Sequence, residues 1–126
     1  MENRKNYNIS GVPRTTGIFP KAVVADKFIF VSGTPGFNPA SGQLSESFEE
    51  QARQSFLNIK TILEELGSSM DKIVKTTVFM VSGNDFSILN KVYAEIFPDT
   101  APARSAPQVM PFPAGILISV ECVALL

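Results

Sequence analysis

Ile116-Leu-Ile-Ser-Val-Glu-Cys-Val-Ala-Leu125 decides the fold. It is an almost wholly apolar run, rich in β-branched residues, that carries a single charge at Glu121. Such a run predicts a long strand, central in its sheet and covered on both faces. A carboxylate in that setting is costly to bury unless something pairs it. The last basic residue before it is Arg104, in Ala101-Pro-Ala-Arg-Ser-Ala106, and from Ser105 to Leu126 Glu121 is the only charge. A guanidinium can grip a carboxylate through two parallel hydrogen bonds. Two readings stand side by side. Arg104 and Glu121 form a small site that holds an acid and handles a proton, or they form a structural ion pair at a strand end.

The elements upstream set the architecture. Ser47 followed by Glu50 has the form of a capping box. Ala52, Phe56, Ile59, Leu63 and Leu66 then recur at steps of three and four, which predicts one amphipathic helix over residues 48–66, with Gly67 as its stop. Ile73-Val-Lys-Thr-Thr-Val-Phe-Met-Val81 reads as a strand. Phe86, Leu89, Tyr93 and Phe97 mark a second helix, ended by Pro98. Ala103–Met110 reads as a strand at a sheet edge, because Pro107 lacks a donor. Near the start, Val23-Val24 opens a short strand, Asp26-Lys27 turns, and Phe28–Ser32 is a second strand, whereas residues 1–18 lack clear periodicity. The loop from Gly33 to Gly42 has neither the lysine nor the spacing of a phosphate loop.

The resulting order is β-β-α-β-α-β-β in one domain spanning residues 1–126. Its strand-helix-strand units imply a partly parallel sheet. Two helices cover one face of it, so the other face calls for oligomerisation. Composition agrees. Hydrophobic residues make up 44 % and charged residues only 18 %, which points to apolar surface buried between subunits. With 11 basic and 12 acidic residues, nothing predicts a nucleic-acid partner. There is no His, so no imidazole triad or imidazole metal ligand exists. A single Cys122 permits neither an internal disulfide nor a zinc site. The N-terminal residues lack the apolar core of a signal peptide, and no run approaches a membrane span, so a cytoplasmic location is expected.

Five stretches resemble the reactive-intermediate deaminase family, also called RidA or YjgF-like. They are Phe28-Ile-Phe-Val-Ser-Gly33, Gln51-Ala-Arg-Gln-Ser-Phe-Leu-Asn-Ile-Lys60, Ile73-Val-Lys-Thr-Thr-Val-Phe79, Pro102-Ala-Arg-Ser105 and Ser119-Val-Glu-Cys-Val-Ala124, in family order over residues 17–125. The resemblance implies an α+β, chorismate-mutase-like mixed β-sheet with two helices on one face, with the last strand between the first core strand and the Ile73 strand. It also implies a homotrimer with sites in the clefts between subunits. The implied reaction is hydrolysis of enamines and imines of the 2-aminoacrylate and 2-iminopropanoate type to keto acids and ammonia, with no cofactor and no metal.

By the same resemblance, Arg104 binds the substrate carboxylate and Glu121 positions or activates water. Asn90 lies near the site, and Ser32 and Gly33 border the ligand. Read on residues alone, Asn90 is equally a surface or capping amide, and Ser32-Gly33 a turn entry. Backbone donors near Ser105 help to orient the substrate. The chain departs from the family where many members carry Gly-Pro-Tyr-Ser-Gln, because Gly17-Ile-Phe-Pro-Lys21 stands there. Phe19 keeps the ring without the hydroxyl. Lys21 adds a cation near the cleft, although a solvated surface lysine is the commoner outcome. Three rival functions are a non-catalytic trimer that binds small carboxylates, a ribonuclease, and a pathway deaminase for a larger enamine such as 2-aminomuconate.

Overall fold

The computed structural model describes residues 3–9, 11, 12 and 18–126. Nine elements follow in order: β1 (Arg4–Tyr7), β2 (Ala22–Ala25), β3 (Phe28–Pro35), α1 (Phe48–Glu65), β4 (Ile73–Val81), α2 (Phe86–Ile96), β5 (Ala103–Ser105), β6 (Gln108–Val109) and β7 (Ile118–Leu125). They build one mixed sheet in the order β1-β2-β3-β7-β4-β5, with β6 also paired to β4. As expected, β7 is central, antiparallel to both β3 and β4. The fold is therefore α+β, with a sheet and two helices.

Each helix has local causes. Ser47 caps α1 by accepting the Glu50 N–H at 3.2 Å. The expected reciprocal bond is absent, because the Glu50 carboxylate pairs with Arg53 at 2.9 Å instead. The box is half made, and the Ser47 N–H goes to Ser45 Oγ. At the far end Gly67 adopts a φ of 83°. That conformation lets Ser68 N–H reach Leu63 O at 2.8 Å and Gly67 N–H reach Glu64 O at 3.1 Å, which closes the last turn. Asp85 caps α2 by accepting the Ser87 N–H at 2.8 Å.

The helices lie on one face of the sheet. Phe56, Ile59, Ile62 and Leu63 of α1 are fully buried against Ile29, Val120, Ile118 and Val78 of the strands. Burial of such side chains stabilises by about 1.5–3 kcal/mol each. Phe56, Tyr93 and Phe97 form an aromatic cluster between α1 and α2, with ring centroids 4.8–6.0 Å apart. The loop after β3 is stitched to α1 by buried polar groups. Gln51 donates to Ser45 O and Gly115 O and accepts from Leu117 N–H, while Asn58 donates to Pro35 O and Phe37 O. Gly36 packs so closely that a Cβ there would lie 2.2 Å from Gln51 O.

Three sequence expectations need correction. The polar N-terminus contains a strand after all: β1 pairs with β2 through main-chain bonds, which need no apolar periodicity. Ala103–Met110 is not one strand but two short ones, both parallel to β4, since Pro107 interrupts the ladder. Finally, among the described residues β7 is covered on one face only. Ile118, Val120, Cys122 and Ala124 are buried under the helices, whereas Glu121 and Leu125 point to the opposite face and are exposed. That open face also carries Phe28, 36 % exposed, and Phe30, 45 % exposed. They stand opposite Leu125 and Val123.

Candidate functional site

Glu121 occupies a row of polar residues across the open face. On one side Val31 pairs with Cys122 and Thr34 with Val120, so Ser32 and Gly33 together oppose Glu121. This is a β-bulge, two residues against one, and it re-aims the chain beside the carboxylate. Space at Gly33 is tight, because a Cβ there would sit 3.0 Å from Ser119 Oγ, which would have to shift. On the other side Glu121 pairs with Thr77, and Thr77 with Ser105. Ser105 Oγ accepts from Lys75 Nζ at 2.8 Å. Ser32 Oγ donates to Pro20 O at 2.7 Å. That bond anchors the segment containing Phe19, 47 % exposed, at the same end of the row.

Arg104 lies elsewhere. It pairs with Thr76, whose side chain is buried on the helix side. The guanidinium stacks over the Tyr93 ring at 4.9 Å from its centroid and donates to Asn90 Oδ1 at 2.8 Å. Tyr93 is itself fixed by a 2.8 Å bond between its hydroxyl and Thr76 Oγ1. Burial raises the Tyr93 pKa, against opposing effects of the Thr76 bond and the Arg104 charge. Asn90 is thus neither a cap nor an idle surface amide but the acceptor that orients Arg104. Its planar acceptor and the ring below hold the guanidinium side-on at an exposed position.

The expected residues therefore divide into two groups. Glu121, Ser32, Gly33 and Ser105 share the open face, with the Phe19 segment tied to it through the Ser32 bond to Pro20 O. Arg104 and Asn90 share the helix side of the sheet edge. Within one chain Arg104 and Glu121 do not pair: among the described residues the ion pairs link Arg53 and Lys91 to Glu49, Glu50 and Glu95. The structural ion pair is therefore excluded there, and so is a site assembled from both residues in a single copy. The physical cause is parity. Arg104 sits at the level of Cys122, one residue from Glu121, and successive side chains of a strand point to opposite faces.

One contributor went unread in the sequence, and one was read with its burial missed. Tyr93 is counted there in the apolar stripe of the second helix. Its spacing of three from Asn90 carries the missing signal, because such residues share a helix face. Lys21, expected at the surface, is only 9 % exposed. Burial also pushes the Cys122 thiol up to about 12, so it stays protonated and unreactive near neutral pH. A groove of about 460 Å³ beside the ends of α1 and α2, lined by Lys60, Met70, Phe97 and Thr100, contains none of the expected site residues. Among the described residues no helix is long and apolar enough to cross a membrane, and no group of three or more His, Cys, Asp or Glu is placed to hold a metal.

Known proteins share this fold. The chain is similar to the human protein named 2-iminobutanoate/2-iminopropanoate deaminase, at 37 % identity over 97 % of this chain and 90 % of that one. Its fold is similar to a solved structure of a putative endoribonuclease L-PSP from Entamoeba histolytica, with a TM-score of 0.92 and 35 % identity over 98 % of this chain and 99 % of that one. It is also similar to the yjgF gene product of E. coli, with a TM-score of 0.90 and 35 % identity over 96 % of this chain and 98 % of that one. The family model described as Endoribonuclease L-PSP matches residues 10–126. A match of that extent, over a sheet that carries Ser32-Gly33 and Glu121 on one face and Arg104 at its edge, establishes that the chain belongs to the endoribonuclease L-PSP family, the group of the RidA and YjgF proteins.

Proposed function

We propose that this protein hydrolyses reactive 2-imino acids and their enamine tautomers to 2-keto acids and ammonia. The site would be completed between copies of the chain, in a homotrimer. The observation that carries the reading is the opposed placement of Arg104 at the sheet edge and Glu121 on the uncovered face. A copy docked on the apolar open face, over Phe28, Phe30 and Leu125, brings one copy's edge to the next copy's carboxylate row. The similarity to the human deaminase supports the reaction class.

In the mechanism, Arg104, held by Asn90 and Tyr93, grips the substrate carboxylate and fixes the orientation of the imine carbon. The backbone of Ser32-Gly33 and Ser105 borders the ligand. Glu121 accepts a proton from water as it adds to the C=N carbon, then returns a proton to the departing nitrogen. Water adds across the double bond, the C–N bond breaks, and ammonia leaves, so no electrons change hands. Phe19 supplies a ring without a hydroxyl, and the proton inventory rests on Glu121. The absence of His and the balanced charge weigh against a ribonuclease reading.

The test is complementation between two inactive variants. Arg104→Ala and Glu121→Gln chains are unfolded together, refolded, and assayed for imine hydrolysis. Random mixing regenerates intact sites at about one interface in four if each site draws Arg104 and Glu121 from different copies. No recovery above the separate variants, from mixed oligomers shown by mass spectrometry, would refute a site shared between copies.

A further inference from the structure

A largely buried lysine stands beside the Glu121 row and, among the described residues, takes part in no ion pair, since these all belong to Arg53 and Lys91. Lys21 is 9 % exposed, and burial lowers the pKa of its ammonium. Its backbone fixes its place: Lys21 N–H donates to Tyr7 O at 2.9 Å, and Lys21 O accepts from Ser32 N–H at 2.9 Å. The next pair along, Ala22 and Val31, is buried under the helices. Alternation along paired strands assigns Lys21 and Ser32 to the other face, the one that bears Glu121. Ser32 lies between them, so Lys21 and Glu121 are about 10 Å apart at their Cα atoms, two strand spacings.

We infer that Lys21 is a specificity-determining residue that receives the distal carboxylate of a dicarboxylic 2-imino acid. The inference rests on the proposed deaminase reading, in which Arg104 of a neighbouring copy holds the carboxylate next to the imine carbon. A small acid of this kind has one anionic group for each cation. The distal group lies a short side chain away from the carbon that Glu121 serves. An ammonium partly withdrawn from water without a partner is unfavourable, and an anion that reaches it offsets that loss. A monocarboxylic imine leaves Lys21 unpaired, whereas a dicarboxylic one satisfies it. The discrimination expected from one charge-assisted contact of this sort is about tenfold or more.

Two measurements test it. Unreactive acids, succinate against butanoate, are titrated into the assembled protein by calorimetry. Imines made in place from aspartate, glutamate and alanine by an amino-acid oxidase are then assayed by competition with semicarbazide. The expected result is succinate bound about tenfold more tightly than butanoate. The same preference should appear in kcat/KM for the dicarboxylic imines. Both ratios should collapse in Lys21→Met and persist in part in Lys21→Arg. Equal binding of the two acids by the unaltered protein overturns the inference even if no variant folds, and so does a ratio unmoved in Lys21→Met. A protein that prefers succinate but hydrolyses no imine overturns the deaminase reading and leaves the anion site standing.

Discussion

Replacing Arg104 separates a catalytic from a structural role. The guanidinium makes one hydrogen bond, to Asn90 at 2.8 Å, and one stacking contact, on Tyr93 at 4.9 Å. Arg104 is exposed in the chain, so both contacts belong at the low end of their ranges. Together they stabilise the fold by roughly 1–2 kcal/mol. Against a total of about 5–15 kcal/mol, Arg104→Ala should stay folded, with a melting temperature roughly 3–10 °C lower. The catalytic loss should be larger. A two-bond grip on the substrate carboxylate serves both binding and orientation, and its removal should lower kcat/KM by about 10²–10³-fold, or roughly 3–4 kcal/mol. Arg104→Lys keeps the charge, but an ammonium has no planar fork to lie on Tyr93 while bonding both Asn90 and a ligand. It should recover only a small part of the loss. Melting temperature and imine turnover, measured on the same samples, decide the matter. A strongly destabilised Arg104→Ala protein that keeps most of its kcat/KM per folded chain would refute the assignment.

Three further outcomes are expected. Glu121→Gln, at an exposed position, should melt as the parent does and bind ligand, yet lose about 10²-fold in turnover, the usual scale for a lost general base; full activity would make Glu121 structural. Light scattering should give about three chain masses, and Phe30→Glu, which puts a charge on the apolar open face, should yield smaller species with little turnover; a stable, active monomer would remove the shared site. Gln51→Leu should destabilise the chain by about 2–4 kcal/mol, because it leaves Ser45 O, Gly115 O and Leu117 N–H without their partner, and chemical denaturation would detect it.

The sequence alone determined both helices and the main strands in their order, but neither β1 nor the division of β5 from β6. The spacing of Ala52, Phe56, Ile59 and Leu63 specified α1, and the almost wholly apolar run specified a central β7, because periodicity and burial are written residue by residue. It also singled out Arg104 and Glu121, since a charge is conspicuous against an apolar background. Only the tertiary structure decided that these two belong to different faces. That outcome depends on register: β5 enters the sheet with Arg104 opposite Thr76 rather than Thr77, and a slip of one residue would have turned it over. The bulge that sets Ser32 and Gly33 against Glu121 is likewise a property of pairing, as is the burial of Lys21 beside them. Composition assigns a lysine to the surface, but its position on a paired strand end is fixed by neighbours far along the chain.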